Sequence, residues 1–211
     1  MRTPSSGQPT CQENTAIRLS LATLALALVA AVPALAQTPA AEAQRNANQQ
    51  QRIEQGLQSG QLDTREAARL EQQETRVERS QARAARDGTV SATEAERIAR
   101  EQNVVSRDIA RQKHDAQTGN PNSASSQRLQ ADVQRNARQQ QRIADGASSG
   151  ALSTRESGQL QQGQAHATSR QARSGADGHV GAAEQRRVQA AQTQQSHRVY
   201  RKKHNAVAAS E

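Results

Sequence analysis

The strongest constraint on how this chain folds is an internal duplication. Residues 44–116 align with residues 134–206 at a constant offset of 90, without a gap, and 33 of the 73 aligned positions are identical. The segment Gln-Gln-Gln-Arg-Ile occurs at 49–53 and again at 139–143. A repeat of this length indicates two copies of one supersecondary unit. We therefore predict two related units joined by the polar segment 117–127, which we expect to be a flexible linker.

A short pattern divides each copy into helices. It consists of Gly, any residue, an apolar residue, a capping residue and, three residues further on, Glu. Glycine favours the left-handed conformation that ends a helix, and a capping residue followed by Glu forms a capping box at the start of the next helix. The fourth joint has Gly181 at the capping position, so we expect a weaker cap there. The predicted capping residues are Gly60, Asp63, Glu66, Gly88, Ser91, Glu94, Gly150, Ser153, Glu156, Gly178 and Glu184.

These joints predict three helices per copy and an all-α fold. In the first copy we expect helices at about 42–58, 63–86 and 91–115. Apolar residues recur there at helical spacing, and Ala, Gln, Arg and Glu favour helix. The predicted boundaries are a disordered start at 37–41, three-helix unit 1 at 42–116, three-helix unit 2 at 128–206 and a tail at 207–211.

The predicted core is thin and lacks aromatic side chains. The chain has no Phe, no Trp and one Tyr, so we expect no roomy aromatic-lined ligand pocket. In the second copy Ala147 replaces Leu57 and three glycines enter the helices, so we predict that unit 2 is less stable. Its alanine-rich faces suggest self-association. The expected core residues of unit 1 are Ile53, Leu57, Leu62, Leu70, Val77, Val90, Ile98, Val104, Val105 and Ile109, and the three glycines are Gly158, Gly163 and Gly175.

The first 36 residues have the pattern of an export signal. The apolar run at 19–32 is followed by Pro33 and by Ala34-Leu35-Ala36, which matches the small residues that a signal peptidase requires. A transmembrane anchor is the alternative, but the run has 14 residues, whereas a spanning helix needs about 20. We predict cleavage after Ala36 and a periplasmic or secreted protein with no transmembrane segment in its mature chain. Cys11 would be removed with the signal.

Charge is unevenly divided between the copies of this chain, whose formal net charge is +8. Residues 42–116 contain 13 basic and 13 acidic residues, whereas 128–211 contain 13 basic and 6 acidic ones. A basic patch attracts polyanions, so we expect unit 2 to bind anionic lipid, lipopolysaccharide or acidic polymers. The alternative is a solvated helix face, and export and the lack of stacking aromatics argue against nucleic acid. The predicted anion-binding residues are Arg186, Arg187, Arg198, Arg201, Lys202 and Lys203.

The sequence predicts no catalytic residues, no cofactor and no metal ligands. Without Cys11 the mature chain has no cysteine nucleophile, and it carries no phosphate-binding glycine loop. The segment 87–94 is similar to part of an EF-hand loop, but Arg83 stands at the first ligand position, and a capped helix joint accounts for the same residues. His114 and His204 lie near the expected ends of the third helices, where a histidine favours the helix terminus.

Two resemblances bear on function. The joints that begin with Leu62 and Leu152 are distantly similar to the Leu-Thr-x-x-Gln helix start of exported stress chaperones, which implies binding of unfolded protein. The signal peptide with the Gln-Gln-Gln-Arg-Ile, Gly-x-Leu-x-x-x-Glu, Asp-Gly-x-Val and Lys-His-Asp patterns resembles a group of exported bacterial helical repeat proteins of unknown function. The second resemblance implies export and helical units. We expect a non-enzymatic interaction protein of the cell envelope, with a periplasmic stress chaperone or a divalent-metal-binding protein as alternatives.

Overall fold

The structure, a computed structural model, describes residues 38–208 and the side chains of residues 38–205. The predicted signal peptide lies outside these residues. The described part is helical and contains no strand, so the all-α prediction is confirmed. The helices are α1 (Pro39–Ser59), α2 (Thr64–Ala84), α3 (Ala92–Gln112), α4 (Ala124–Ser148), α5 (Thr154–Ser174) and α6 (Ala182–Ala208), and a 3₁₀ turn (Ala85–Asp87) extends α2.

Both ends of the described chain are more helical than expected. The hydroxyl of Thr38 accepts the N–H of Ala41 at 3.2 Å and caps α1, and Pro39 occupies the first turn, where its missing N–H costs nothing. The predicted disordered start at 37–41 is therefore wrong from residue 38 onward. At the other end α6 continues to Ala208, so the first two residues of the predicted tail at 207–211 are helical.

The helix joints follow the glycine and capping pattern. The four joint glycines have positive φ, from 73° at Gly60 to 99° at Gly88. Asp63 and Glu66 form a capping box: the Asp63 carboxylate accepts the N–H of Glu66 at 2.7 Å, and the Glu66 carboxylate accepts the N–H of Asp63 at 2.9 Å. Two more boxes join Ser91 with Glu94 and Ser153 with Glu156. At the fourth joint the Glu184 carboxylate accepts the N–H of Gly181 at 2.9 Å, and glycine has no side chain to complete the box.

The first three helices, α1 to α3, and the last three, α4 to α6, form two triplets. These triplets pack against each other along most of their length. Helix α1 lies against α4, and α2 lies against α5. The main apolar cluster joins Ile53, Leu57 and Leu70 of the first triplet to Leu129 and Val133 of the second. A second apolar cluster contains Ala43 of α1 together with Ile143 and other residues of the second triplet. The triplets are therefore not separate bodies, because each one covers apolar residues that the other would leave exposed.

The segment 117–127 differs from the expected flexible linker. Helix α4 begins within it at Ala124, and the N–H of Gly119 donates to the carbonyl of Gly60 at 2.8 Å. A Cβ built on Gly119 would lie 2.5 Å from the Leu62 carbonyl oxygen, so only glycine allows this close approach. The first joint of the chain thereby holds the connection between the triplets. The expected core of the first copy is buried apart from Val104, which is 45% exposed, and Val90, which is half-buried.

Buried amides hydrogen-bond across each helix triplet. The Asn46 amide donates to Gln81 at 2.8 Å and accepts from Gln102 at 2.6 Å, so this side chain links α1 to both α2 and α3. The equivalent bonds 90 residues later are Asn136 to Gln171 at 2.7 Å and Gln192 to Asn136 at 2.9 Å. Because a buried amide is costly unless it is paired, these bonds fix the rotation of each helix.

The glycines within α5 have a packing role that the sequence did not predict. A Cβ built on Gly158 would lie 2.6 Å from the Cβ of Ala85, and one built on Gly175 would lie 3.0 Å from the Cβ of Ala68. The two contacts are related by the 90-residue offset and lie at opposite ends of the α2 and α5 pairing. A Cβ on Gly163 would overlap the Gln195 side chain. These glycines lower helix propensity, but they let α5 approach its neighbours closely.

We expect the Gly158→Ala variant to be less stable than the wild type, although alanine favours helix. The added methyl group must displace Ala85, and overpacking of this kind costs about 1–3 kcal/mol. The measurement is urea unfolding followed by circular dichroism. The exposed neighbour Gln159→Ala is the control, and Ala85→Gly in the Gly158→Ala background should recover stability. A Gly158→Ala protein as stable as the wild type would show that the helices are not in close contact here.

Candidate anion-binding surface

Helix α2 carries its arginines on one face. With 3.6 residues per turn, positions separated by three, four or seven residues share a face. Six arginines of α2 and the turn that follows have this spacing, and all six are exposed. They are Arg65, Arg69, Arg76, Arg79, Arg83 and Arg86. This stripe was not predicted from the sequence, because a count of charges per copy does not separate the faces of a helix.

The opposite face of α2 buries three glutamates. Glu71, Glu74 and Glu78 each have 0% exposure. The Glu71 carboxyl accepts from Gln50 Nε2 at 3.0 Å, and the Glu78 carboxyl accepts from Gln140 Nε2 at 2.8 Å. Neither carboxyl oxygen of Glu74 has a hydrogen-bond partner within the described part of the chain. The equivalent positions in the second copy are not acidic: they are Gln161, Gln164 and Thr168.

Burial raises the pKa values of these acids and so favours their uncharged form. It raises the pKa of Glu71 to about 8, and it raises the pKa values of Glu74 and Glu78 well above the usual range, as does mutual repulsion among the three. Burial also raises the pKa of Glu42 to about 8 and that of Asp132 to about 7. We call Glu42, Glu71, Glu74, Glu78 and Asp132 the buried acidic layer. Protonation of this layer removes negative charge that a count of Asp and Glu residues includes.

The surface of the first copy is therefore more basic than its composition indicates. Five of the 13 acidic residues in 42–116 are buried, whereas none of the 13 basic residues is. The expectation of a positive excess in the second copy alone came from a count of all acidic residues, whereas these five side chains are not on the surface.

A groove follows the line where α2 meets α5. One end is a cavity of about 350 Å³ lined by Arg69, Arg76, Arg79 and Arg173 above small side chains such as Ala172. The other end is a cavity of about 410 Å³ lined by Arg86, Arg155, Ala82, Gly158, Gln159 and Gln162. We call the two together the α2/α5 groove. Neither cavity is lined by Asp or Glu, and most of the lining positions of the two ends are related by the 90-residue offset.

The arginines of the groove lack carboxylate partners. Among the described side chains, the ion pairs within 4 Å are Arg97–Glu101, Arg100–Glu96, Arg111–Asp108 and Lys202–Glu156, and none of them involves the groove. Arg173 Nη1 donates to Ser169 Oγ at 2.8 Å. At the ends of the helices, Arg65 and Arg155 donate to the backbone carbonyls of Asp177 and Asp87 at 2.8 and 3.3 Å. Most guanidinium donors in the groove therefore remain free for a ligand.

The six anion-binding residues predicted on α6 do not form one cluster. Arg186, Arg187, Arg198 and Arg201 are exposed. Lys202 and Lys203 are half-buried: Lys202 Nζ lies 3.7 Å from Glu156 Oε1, and Lys203 packs beside Gly146. Arg187 lines a cavity of about 240 Å³ with Arg170 and Arg173, where Glu184 offsets part of their charge.

His166 lies among basic residues beside the groove. Arg170 Nε and His166 Nε2 are 3.1 Å apart. Burial lowers the pKa of His166, and Arg170, Arg173 and Arg198 lower it further. Arg198 of the predicted set is thus close enough to the groove to add to its positive potential.

The carboxylates at the joints between helices accept hydrogen bonds from nearby backbone N–H groups and hydroxyls. Asp87 Oδ1 accepts from the N–H and the hydroxyl of Thr89 at 2.9 and 3.1 Å, and Glu94 Oε2 accepts from Ser91. These hydrogen bonds make a capped turn out of the segment similar to an EF-hand loop. Within residues 38–208, no group of three or more His, Cys, Asp or Glu residues is arranged to hold a metal ion. His114 Nδ1 lies 2.7 Å from the carbonyl of Ala110 in the last turn of α3.

Comparison of the chain with protein-family models, with curated proteins and with solved structures finds no match. Between residues 38 and 208, no helix is both long enough and apolar enough to cross a membrane. The site therefore has to be interpreted from its own geometry and charge.

We expect the protein to lose stability as the pH rises from 5 to 8. Glu71 binds its proton more tightly when folded, with a pKa of about 8 against 4.5 for the unfolded chain. Its contribution is therefore fully present below pH 4.5 and is lost as the pH rises toward 8, at up to about 1.4 kcal/mol per pH unit. The measurement is the free energy of unfolding in urea at a series of pH values.

The variants Glu71→Gln and Glu71→Gln/Glu74→Gln should flatten this dependence, because glutamine occupies the equivalent positions of the second copy. The exposed Glu96→Gln is the control and should follow the wild type. Stability that rises with pH over this range in the wild type would contradict the burial of protonated glutamates.

Proposed function

We propose that this chain is an exported, non-enzymatic helical protein of the cell envelope that binds anionic partners electrostatically. The observation that carries the proposal is the arrangement of α2, with arginines exposed on one face and glutamates buried on the other, where burial raises their pKa values. In the second copy, Arg173 of the groove lines a neighbouring cavity together with Arg170 and Arg187, which adds positive charge beside it. Such a surface attracts polyanions over a distance of about a Debye length.

Export and duplication complete the proposal. The signal pattern at 1–36 supports a periplasmic or secreted location, and the resemblance to exported bacterial helical repeat proteins supports the same compartment. The 90-residue offset supports an origin by duplication of a three-helix unit. In this proposal the two units bind as one body, because their helices share a core.

Electrostatic binding is better supported than the chaperone alternative. Chaperones that hold unfolded clients need exposed apolar surface. Among the described residues, the large apolar side chains that are exposed are Val104 and Tyr200, on α3 and α6. Isolated residues of this kind are common on ordinary protein surfaces.

We expect the mature chain from Gln37 onward to bind heparin with an affinity that falls steeply as salt increases. Each arginine that contacts the polymer releases bound counterions, which produces this dependence. The measurement is fluorescence anisotropy of labelled heparin between 50 and 300 mM NaCl, with neutral dextran as the control.

A variant with glutamine at positions 186, 187, 198 and 201 tests the part played by the second copy. It should bind heparin roughly tenfold more weakly, because it removes four exposed arginines. Absence of binding by the wild type, or binding that ignores salt, would refute the proposed function.

A further inference from the structure

We infer that the α2/α5 groove is a binding site for one extended strand of a linear polyanion that carries phosphate or sulfate groups. This inference rests on the proposed function and assigns it to one place on the surface. The site combines arginines of both copies, namely Arg69, Arg76, Arg79 and Arg86 from the first and Arg155 and Arg173 from the second. Neither copy alone contains it.

The groove has the length and spacing of a site for a chain. Helix α2 has 21 residues, which corresponds to about 30 Å at a rise of 1.5 Å per residue. Along it, Arg69 and Arg76 are separated by about 10 Å, and Arg76 and Arg79 by about 5 Å. A single small anion could contact only part of this row, whereas a polymer with regularly spaced charges could contact all of it.

The chemistry of the lining favours oxyanions. The planar guanidinium group presents two parallel N–H donors to phosphate or sulfate, and Arg forms such pairs better than Lys does. The groove contains arginine but no lysine, and no carboxylate lines it. Ala68, Ala172 and Ala176 form a low floor that leaves room for the polymer backbone between the arginines of α2 and Arg173 of α5.

The same lining argues against a membrane surface and a nucleic acid strand. Helices that lie on bilayers insert large apolar side chains beside their basic residues, and the groove residues are Arg, Ala, Gln, Gly, Ser and Thr. Single-stranded nucleic acid is held by aromatic stacking as well as by charge. The groove has no aromatic residue, so the ligand is a polymer that needs only its charges to be recognised.

The decisive comparison uses two variants with the same net charge. Arg69→Gln/Arg76→Gln/Arg79→Gln removes three arginines from the groove. Arg97→Gln/Arg100→Gln/Arg107→Gln removes three exposed arginines from α3, outside the groove. Both are measured against inorganic polyphosphate and heparin oligosaccharides of increasing length, and against anionic lipid vesicles. Two polymers are used because phosphate and sulfate share the chemistry that the groove recognises.

We expect the groove variant to bind both polymers at least tenfold more weakly and with a shallower salt dependence, and the α3 variant to stay within threefold of the wild type. Affinity should increase with chain length until the polymer spans about 30 Å and then level off. Equal losses in the two variants would overturn the groove assignment while leaving the proposed function intact. Tighter binding to vesicles than to either polymer would overturn the assignment as well. No binding of any polyanion by the wild type would overturn both.

A second variant guards against a loss of folding. Arg76→Lys/Arg173→Lys keeps the charge and the helix propensity but removes the forked donors. We expect a wild-type circular dichroism spectrum and a three- to tenfold weaker affinity for both polymers. An unchanged affinity would mean that the groove contributes only diffuse charge, and the assignment of a site would be abandoned.

Discussion

The fold depends on polar side chains that are buried between helices and form hydrogen bonds from one helix to the next. Asn46 and Asn136 each join three helices of a triplet, and Gln140 links the two triplets by donating to Glu78 on α2 and to Gln161 on α5. An apolar core without Phe or Trp has few large side chains to fix the position of its helices. Amide pairs compensate for this, because a rotated or shifted helix would leave them buried without partners. The same layer explains how a chain of mean hydropathy −0.94 forms a packed bundle.

The two copies differ strongly where α2 meets α5, although the α1 and α4 helices that also meet are nearly identical between residues 44–53 and 134–143. On α2, Glu78 accepts from the hydroxyl of Thr168, its equivalent in α5, at 3.2 Å and from the amide of Gln140 on α4 at 2.8 Å. Two identical copies would place a carboxyl group on each side of this contact. Replacement of the acids in one copy lets one side donate and the other accept. The copies also differ in size at this contact. Gly158 packs against Ala85 and Gly175 packs against Ala68, so each contact pairs a glycine of the second copy with an alanine of the first.

Local features of the structure could be predicted from the sequence, and long-range ones could not. The joint glycines, three capping boxes and most of the aliphatic core follow from spacing, because they depend on residues within a few positions of each other. The pairing of α1 with α4 and of α2 with α5 depends on Ala, Gly and Gln faces that resemble solvent-exposed helix. Because these faces gave no sign that the two copies pack together, segment 117–127 was predicted as a flexible linker, and that prediction was wrong. None of the six predicted residues lines the α2/α5 groove, although Arg187 lines a neighbouring cavity with Arg173. The stripe on α2 could not be recognised from charge counts because its arginines alternate along the sequence with glutamates.

The buried acidic layer means that the charge of this protein depends on whether it is folded. In the unfolded chain the five carboxyl groups are ionised at neutral pH and offset nearby arginines along the sequence. Folding takes up protons from the solvent and leaves those arginines without their counter-charges. A nascent or unfolded chain is therefore a weaker cation than the finished molecule, and its attraction to polyanions develops together with its tertiary structure.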